Sequence, residues 1–175
     1  MIQTRKDMLE YIEADRKAQK ITKEPHFDPV WNWQKLLRRT EYHTNAGHKV
    51  IGKLMRLRFH LASVRLGFNI PLNTCGKGLN IHHYGLIAIN RDARIGENCC
   101  INQGVNIGQN MDDLDVPTIG NNVYIGPGAK LFGKITIADG VAIGANAVVT
   151  KSILEENVNV VGVPAKIIGP RRKWD

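Results

Sequence analysis

Two adjacent histidines, His82 and His83, stand in the stretch GKGLNIHHYGLIAIN, residues 76–90. An imidazole titrates near neutral pH, so either ring could take a proton from an alcohol as that alcohol attacks a carbonyl carbon. Tyr84 follows and could line an acceptor pocket or sit as an aromatic at the edge of a core. Downstream, the run MDDLD places Asp112, Asp113 and Asp115 together. Those carboxylates could bind hydroxyls, orient a histidine, or only keep a loop soluble. Two neighbouring histidines are a weak metal signature. Cys75, Cys99 and Cys100 have neither zinc-site spacing nor a disulfide framework, so no metal is expected and a reducing cytoplasm is the simplest compartment.

The element that must position these groups is written in sixes. Taking every sixth place from 89 to 149 gives Ile89, Ile95, Ile101, Ile107, Asp113, Ile119, Ile125, Leu131, Ile137, Ile143 and Val149. Helices repeat every 3.6 residues and strands every 2. A period of six suits a short strand plus a corner, repeated three times per turn of a triangular solenoid. Small or β-branched residues such as Ala93, Cys99, Val105 and Ala129 fill the place two before each aliphatic. In this frame Cys75 and Cys99 are small core fillers, and Cys100 points outward. Gly96, Gly108, Gly120, Gly126 and Gly144, with Asn90 and Asn102, fall next to the aliphatics, where corners needing positive φ are expected. The break at Asp113 marks a two-hexapeptide excursion, a protruding loop over residues 109–117. His83 lies six places before Ile89, on an inward phase, where a histidine could simply cap the open end of the stack.

Residues 1–70 read as a helical leader, residues 71–169 as the coil, and 170–175 as a tail. Thr4 can cap a first helix. Pro25 and Pro29 interrupt before a second helix, VWNWQKLLRRTEYHTNAG, and HKVIGKLMRLRFHLASVRLGF makes a third. The net charge of +8 is uneven: residues 1–70 hold 14 Lys and Arg against 7 Asp and Glu, and the rest is nearly balanced. A basic leader invites nucleic acid or anionic lipid. No zinc-finger, RRM or helix-turn-helix pattern supports nucleic acid, and none is expected as a partner. The third helix could lie on a membrane surface, although packing on its own protein or a neighbouring subunit gives the same pattern. No apolar run is long enough to span a bilayer, and the N-terminus is too charged for a signal peptide. The expected location is cytoplasmic, with the inner face of the membrane left open.

Residues 71–169 resemble the hexapeptide-repeat acyltransferases. That resemblance implies an all-β solenoid: a left-handed parallel β-helix of hexapeptide repeats behind an N-terminal α-helical leader. GKGLNIHHYGLIAIN is similar to the segment around the catalytic histidine of serine acetyltransferases. TIGNNVYIGPGAKLFGKITIADGVAIGANAVVTKSI, with VVGVPAKIIG, resembles acetyl-CoA-binding coils of serine, maltose and galactoside acetyltransferases. The leader is similar to that of serine-acetyltransferase-like enzymes of capsule and exopolysaccharide pathways. The resemblance implies His83 as general base. His82, Tyr84, Asp112 and Asp115 are candidates for the acceptor by residue type and place alone, and each could equally be an ordinary surface or core-edge group. Ala145 would meet the pantetheine arm, with Thr150, Lys151 and Lys166 toward the phosphates, and the site would lie between two coils of a homotrimer. Asp115-Val116 stands where serine acetyltransferases carry an Arg-His pair. The aspartate partner of the family's histidine also has no clear counterpart; Phe68 and Asn69 lie nearest. The expected function is therefore acetyl-CoA-dependent O-acetylation of a sugar hydroxyl in surface polysaccharide biosynthesis. Serine O-acetylation in cysteine biosynthesis and a non-catalytic trimeric scaffold are the rivals.

Overall fold

A computed structural model describes residues 1–23, 25, 27–111 and 114–171. Three helices precede a coil of short strands. Helix α1 spans Arg5–Ala18, α2 Pro29–Asn45 and α3 Lys49–Leu66. Thr4 caps α1 in a reciprocal box: the Asp7 N–H donates to Thr4 Oγ1 at 3.1 Å, and the Thr4 N–H donates to Asp7 Oδ2 at 2.9 Å. Pro29 opens α2 instead of interrupting a helix. Its missing N–H costs nothing at the first helical position, and Asp28 accepts from Val30 and Trp31.

From Phe68 onward, strands of two to five residues stack in three sheets. Along the face that begins at Phe68–Asn69, Asn69 pairs with Ala88, Ala88 with Asn106, Asn106 with Lys130 and Lys130 with Val148, all parallel. The second face runs through Arg94–Ile95, Thr118–Ile119 and Thr136–Ile137. The third runs through Asn80–Ile81, Cys100–Ile101, Tyr124–Ile125 and Ala142–Ile143. A regular coil visits all three faces and returns 18 residues later, as from Lys130 to Val148 and from Tyr124 to Ala142, so the six-residue period is one face plus one corner. The coil through residues 109–117 departs furthest from this: Arg94 pairs with Thr118 and Cys100 with Tyr124, a return of 24. The excursion adds one hexapeptide, not two.

The core is an aliphatic ladder, with Ile101, Ile107, Ile125, Leu131 and Ile143 all buried. The glycines beside that ladder do not take the positive φ expected of them. Left-handed backbone falls two places further on, at Asn98, Gly104, Asn122, Gly128 and Asn146. Gly96 and Gly126 are needed because the next coil passes too close. A Cβ at Gly96 would lie 2.5 Å from the Gly120 carbonyl oxygen, and one at Gly126 2.8 Å from the Ala145 nitrogen.

The leader is fixed to the first coil by a buried charged group. Arg38, Asp15 and Glu41 are at most 2% exposed. The Arg38 guanidinium donates to Asp15 at 2.8 Å, Glu41 at 3.1 Å, the Cys75 carbonyl at 3.0 Å and the Gly76 carbonyl at 2.6 Å. The Leu79 N–H donates to Asp15, and the Asn73 N–H to Glu41. Desolvation opposes the charge on Arg38, but Asp15 and Glu41 more than offset it and hold the guanidinium well above its ordinary value. Trp33 packs edge-on against Phe68 and at a tilt of 32° on Phe59 of α3, and its indole N–H donates to Ser63 at 2.8 Å.

Candidate active site

The corner that carries the histidines is longer than its neighbours. Ile81 pairs with Ile101 and Ala88 with Asn106, so seven residue steps cover what the next coil covers in five. The two extra residues push His82, His83 and Tyr84 out into solvent, and all three are exposed. The inward phase expected for His83 is therefore wrong: the insertion shifts the frame upstream of Ile87. The same shift places Cys75 opposite Ile95, on the aliphatic place rather than the one expected. Cys75 and Cys99 are nevertheless buried, and desolvation pushes their thiols up to about 11 and about 12, which makes them packing groups and not nucleophiles.

The protruding corner is held on both sides. The Gly85 and Ile87 N–H groups donate to the Leu66 and Gly67 carbonyls at the end of α3, and the Gly104 N–H donates to the Leu86 carbonyl from the coil beyond. Gly85 has φ 136°. A Cβ there would also lie 3.2 Å from the Gln103 Cβ. His82 and His83 have ring centroids 6.3 Å apart. Partial desolvation and the neighbouring His83 hold the His82 pKa below the usual histidine value. Tyr84 lines a cavity of about 750 Å³ between α2 and α3, with Trp33, Leu36 and Leu66 as apolar wall and Arg39, Arg58 and Arg65 around them.

Strand register places the other candidates. On the edge that carries His83, successive corners hold Gln103, Pro127 and Ala145. Coils are stacked about 4.8 Å apart, so Ala145 lies roughly 14 Å along the same edge. Ala145 is small and exposed there. The turn Gly162–Ala165 continues the edge, with the Val148 N–H donating to Gly162 and the Ala165 N–H to Val148, and it leads to exposed Lys166. Thr150 and Lys151 are exposed too, but they follow Val148–Val149 onto the next edge. Asp115 shares that second edge with the loop and pairs with Lys134 at 2.8 Å. Asp112 lies outside the described residues, as does Asp113. The residues named from sequence thus divide between two edges of the coil. His82, His83, Tyr84, Ala145 and Lys166 fall on one; Thr150, Lys151 and Asp115 fall on the other.

Sequence reasoning missed two groups beside the histidine corner. Asn80 Oδ1 and Gln103 Oε1 are buried atoms with no hydrogen-bond partner among the described residues. Each can accept from a ligand hydroxyl or amine. Their signal in the sequence is slight, because polar residues at solenoid corners are ordinary. No carboxylate among the described residues hydrogen-bonds either ring nitrogen of His83, and none of them form a group of three or more His, Cys, Asp or Glu able to hold a metal ion.

A family described as bacterial transferase hexapeptide (six repeats) matches residues 117–151. A serine acetyltransferase of Helicobacter pylori is 35% identical over 147 residues, 78% of this chain and 85% of that protein. One from Synechococcus elongatus is 37% identical over 116 residues, 65% of this chain and 47% of that protein. The chain spans about half the length of several curated relatives that it matches. Among solved structures, the serine acetyltransferase of Brucella abortus in complex with coenzyme A superposes with a TM-score of 0.75 at 27% identity, covering 96% of this chain and 70% of that one.

Proposed function

The chain belongs to the hexapeptide-repeat transferase family, and from that premise we propose that it is an acetyl-CoA-dependent O-acetyltransferase with His83 as general base. The observation that carries this reading is the single edge that begins at an exposed histidine corner and continues to Ala145 and Lys166. Bound acetyl-CoA supplies an acetyl group activated as a thioester. The His83 imidazole takes the acceptor's hydroxyl proton as the oxygen attacks, and returns it to the departing sulfur. No covalent enzyme intermediate is needed when both substrates are held side by side. Backbone N–H groups at the corners can stabilise the oxyanion.

Small, exposed Ala145 lets an extended pantetheine arm approach the backbone, and Lys166 suits a phosphate as a compact cation. Thr150 and Lys151 lie on the second edge. They join the same site if the edge of one copy faces the loop edge of another, as in a homotrimer with left-handed coils.

L-Serine is the acceptor that the named relatives support best. Two observations favour a sugar hydroxyl, such as one on a surface-polysaccharide precursor, as the second reading: Asp115-Val116 precedes Pro117, and His83 lacks a carboxylate partner among the described residues. The test supplies L-serine and, separately, nucleotide-linked sugars with acetyl-CoA and follows free thiol. Turnover with serine alone selects the first acceptor, and turnover with a sugar alone selects the second. Silence with both, in a protein that binds coenzyme A, would overturn the enzymatic reading in favour of a scaffold.

A further inference from the structure

Helix α3 has an apolar face that none of the described residues covers. Val50, Leu54, Leu57, Leu61 and Val64 are between 56% and 83% exposed. They are spaced four, three, four and three residues apart. At 3.6 residues per turn their side chains stay within about 40° of one direction, over about 21 Å of helix. The opposite side, with Phe59, Ala62 and Leu66, packs on the core. Both borders of the outward stripe are basic. Arg58 and Arg65 lie along one, and Lys49, Lys53 and Arg56 along the other, with no acidic residue in the helix.

We propose that α3 docks the protein on an anionic lipid surface, with this stripe in the acyl boundary and its cations among the headgroups. Charge selects the occupant. A second copy of the helix would oppose basic border to basic border, the reverse of the charge pairing that favours helix–helix seams. An anionic bilayer satisfies both borders at once and takes the leucines into its apolar layer. The docking is peripheral, since no helix among the described residues is long and apolar enough to cross a membrane. Arg58 and Arg65 also line the cavity beside Tyr84, so that cavity opens along the docked side.

The proposal is independent of the acetyl-transfer reading, and its test involves no turnover. Full-length protein is sedimented with vesicles of phosphatidylcholine alone and of phosphatidylcholine mixed with phosphatidylglycerol. The expected result is binding to the mixed vesicles only, weakened by salt. Leu54→Ser, Leu57→Ser and Leu61→Ser keep the charge, and each should lower partitioning about tenfold. Lys49→Gln and Lys53→Gln should each lower it about fivefold. The stripe is exposed, so these variants should keep the wild-type circular dichroism spectrum. Wild-type protein that stays in the supernatant with anionic vesicles overturns the proposal. So do serine variants that bind as well as wild type, since that would be charge attraction without insertion. Loss of assembly mass in the serine variants, with no vesicle binding by wild type, would identify a second copy as the occupant.

Discussion

The coil and the leader are built on opposite principles. The coil repeats one solution, in which an aliphatic residue points into each face and the backbone of each turn bonds to the next. Its stability is spread over many equivalent positions. The leader rests on a few unlike contacts: a buried Arg38–Asp15–Glu41 group and Trp33 wedged between α3 and Phe68. The difference teaches where information is concentrated. A single leader residue should matter more than a single rung, because a charge left alone in the interior cannot be shared out.

Replacing Arg38 by Met should therefore be the most damaging single change, costing about 3–5 kcal/mol as two carboxylates lose their buried partner. Urea titration read by circular dichroism checks this. Replacing Asp15, Arg38 and Glu41 together by apolar residues of similar volume should recover much of the loss, because no buried charge is then unpaired. In the coil, Ile125→Ala should cost about 2–5 kcal/mol. If that truncation proved clearly costlier than Arg38→Met, the contrast between the regions would collapse.

Smaller effects sharpen it. Thr4→Ala removes one half of the α1 cap and should cost about 1 kcal/mol by the same titration. Acidification should weaken both regions in the same window. Backbone N–H donation from Thr4 and Gln3 holds the Asp7 carboxyl below the usual range, and donation from the backbone and side chain of Asn121 does so for Asp139. For a depressed carboxyl the unfolded chain binds the proton more readily. Its stabilisation is thus complete above the ordinary carboxylate pKa of about 4 and is lost as pH falls through the folded value. Thermal melts from pH 6 to pH 2 should fall in midpoint below about pH 4. Asp139→Asn and Asp7→Asn should flatten that fall.

The same contrast governs what could be read from the sequence. Ile95, Ile101, Ile107 and their successors announce the coil because each rung repeats the last. Arg38 announces nothing, since it is one of 14 basic residues in the first 70, and only the packed structure shows that it is buried. The histidine corner fails differently. Its two extra residues lie between Ile81 and Ile87, and Ile87 and Ile89 keep an alternation that hides the frame shift. Periodicity consequently aims His83 inward, whereas the register turns it out to solvent. Register also divides residues that the motif grouped, setting Lys166 on the edge of His83 and Lys151 on the next.

We propose that the exposed imidazole of His83 does the proton chemistry of acetyl transfer on this edge. The most direct measurement is thiol release from acetyl-CoA, with whichever acceptor supports turnover, by wild type and by His83→Ala. A loss of about a hundredfold or more in kcat is predicted, with coenzyme A binding and the melting profile unchanged. A variant that turns over within a few-fold of wild type would contradict the claim.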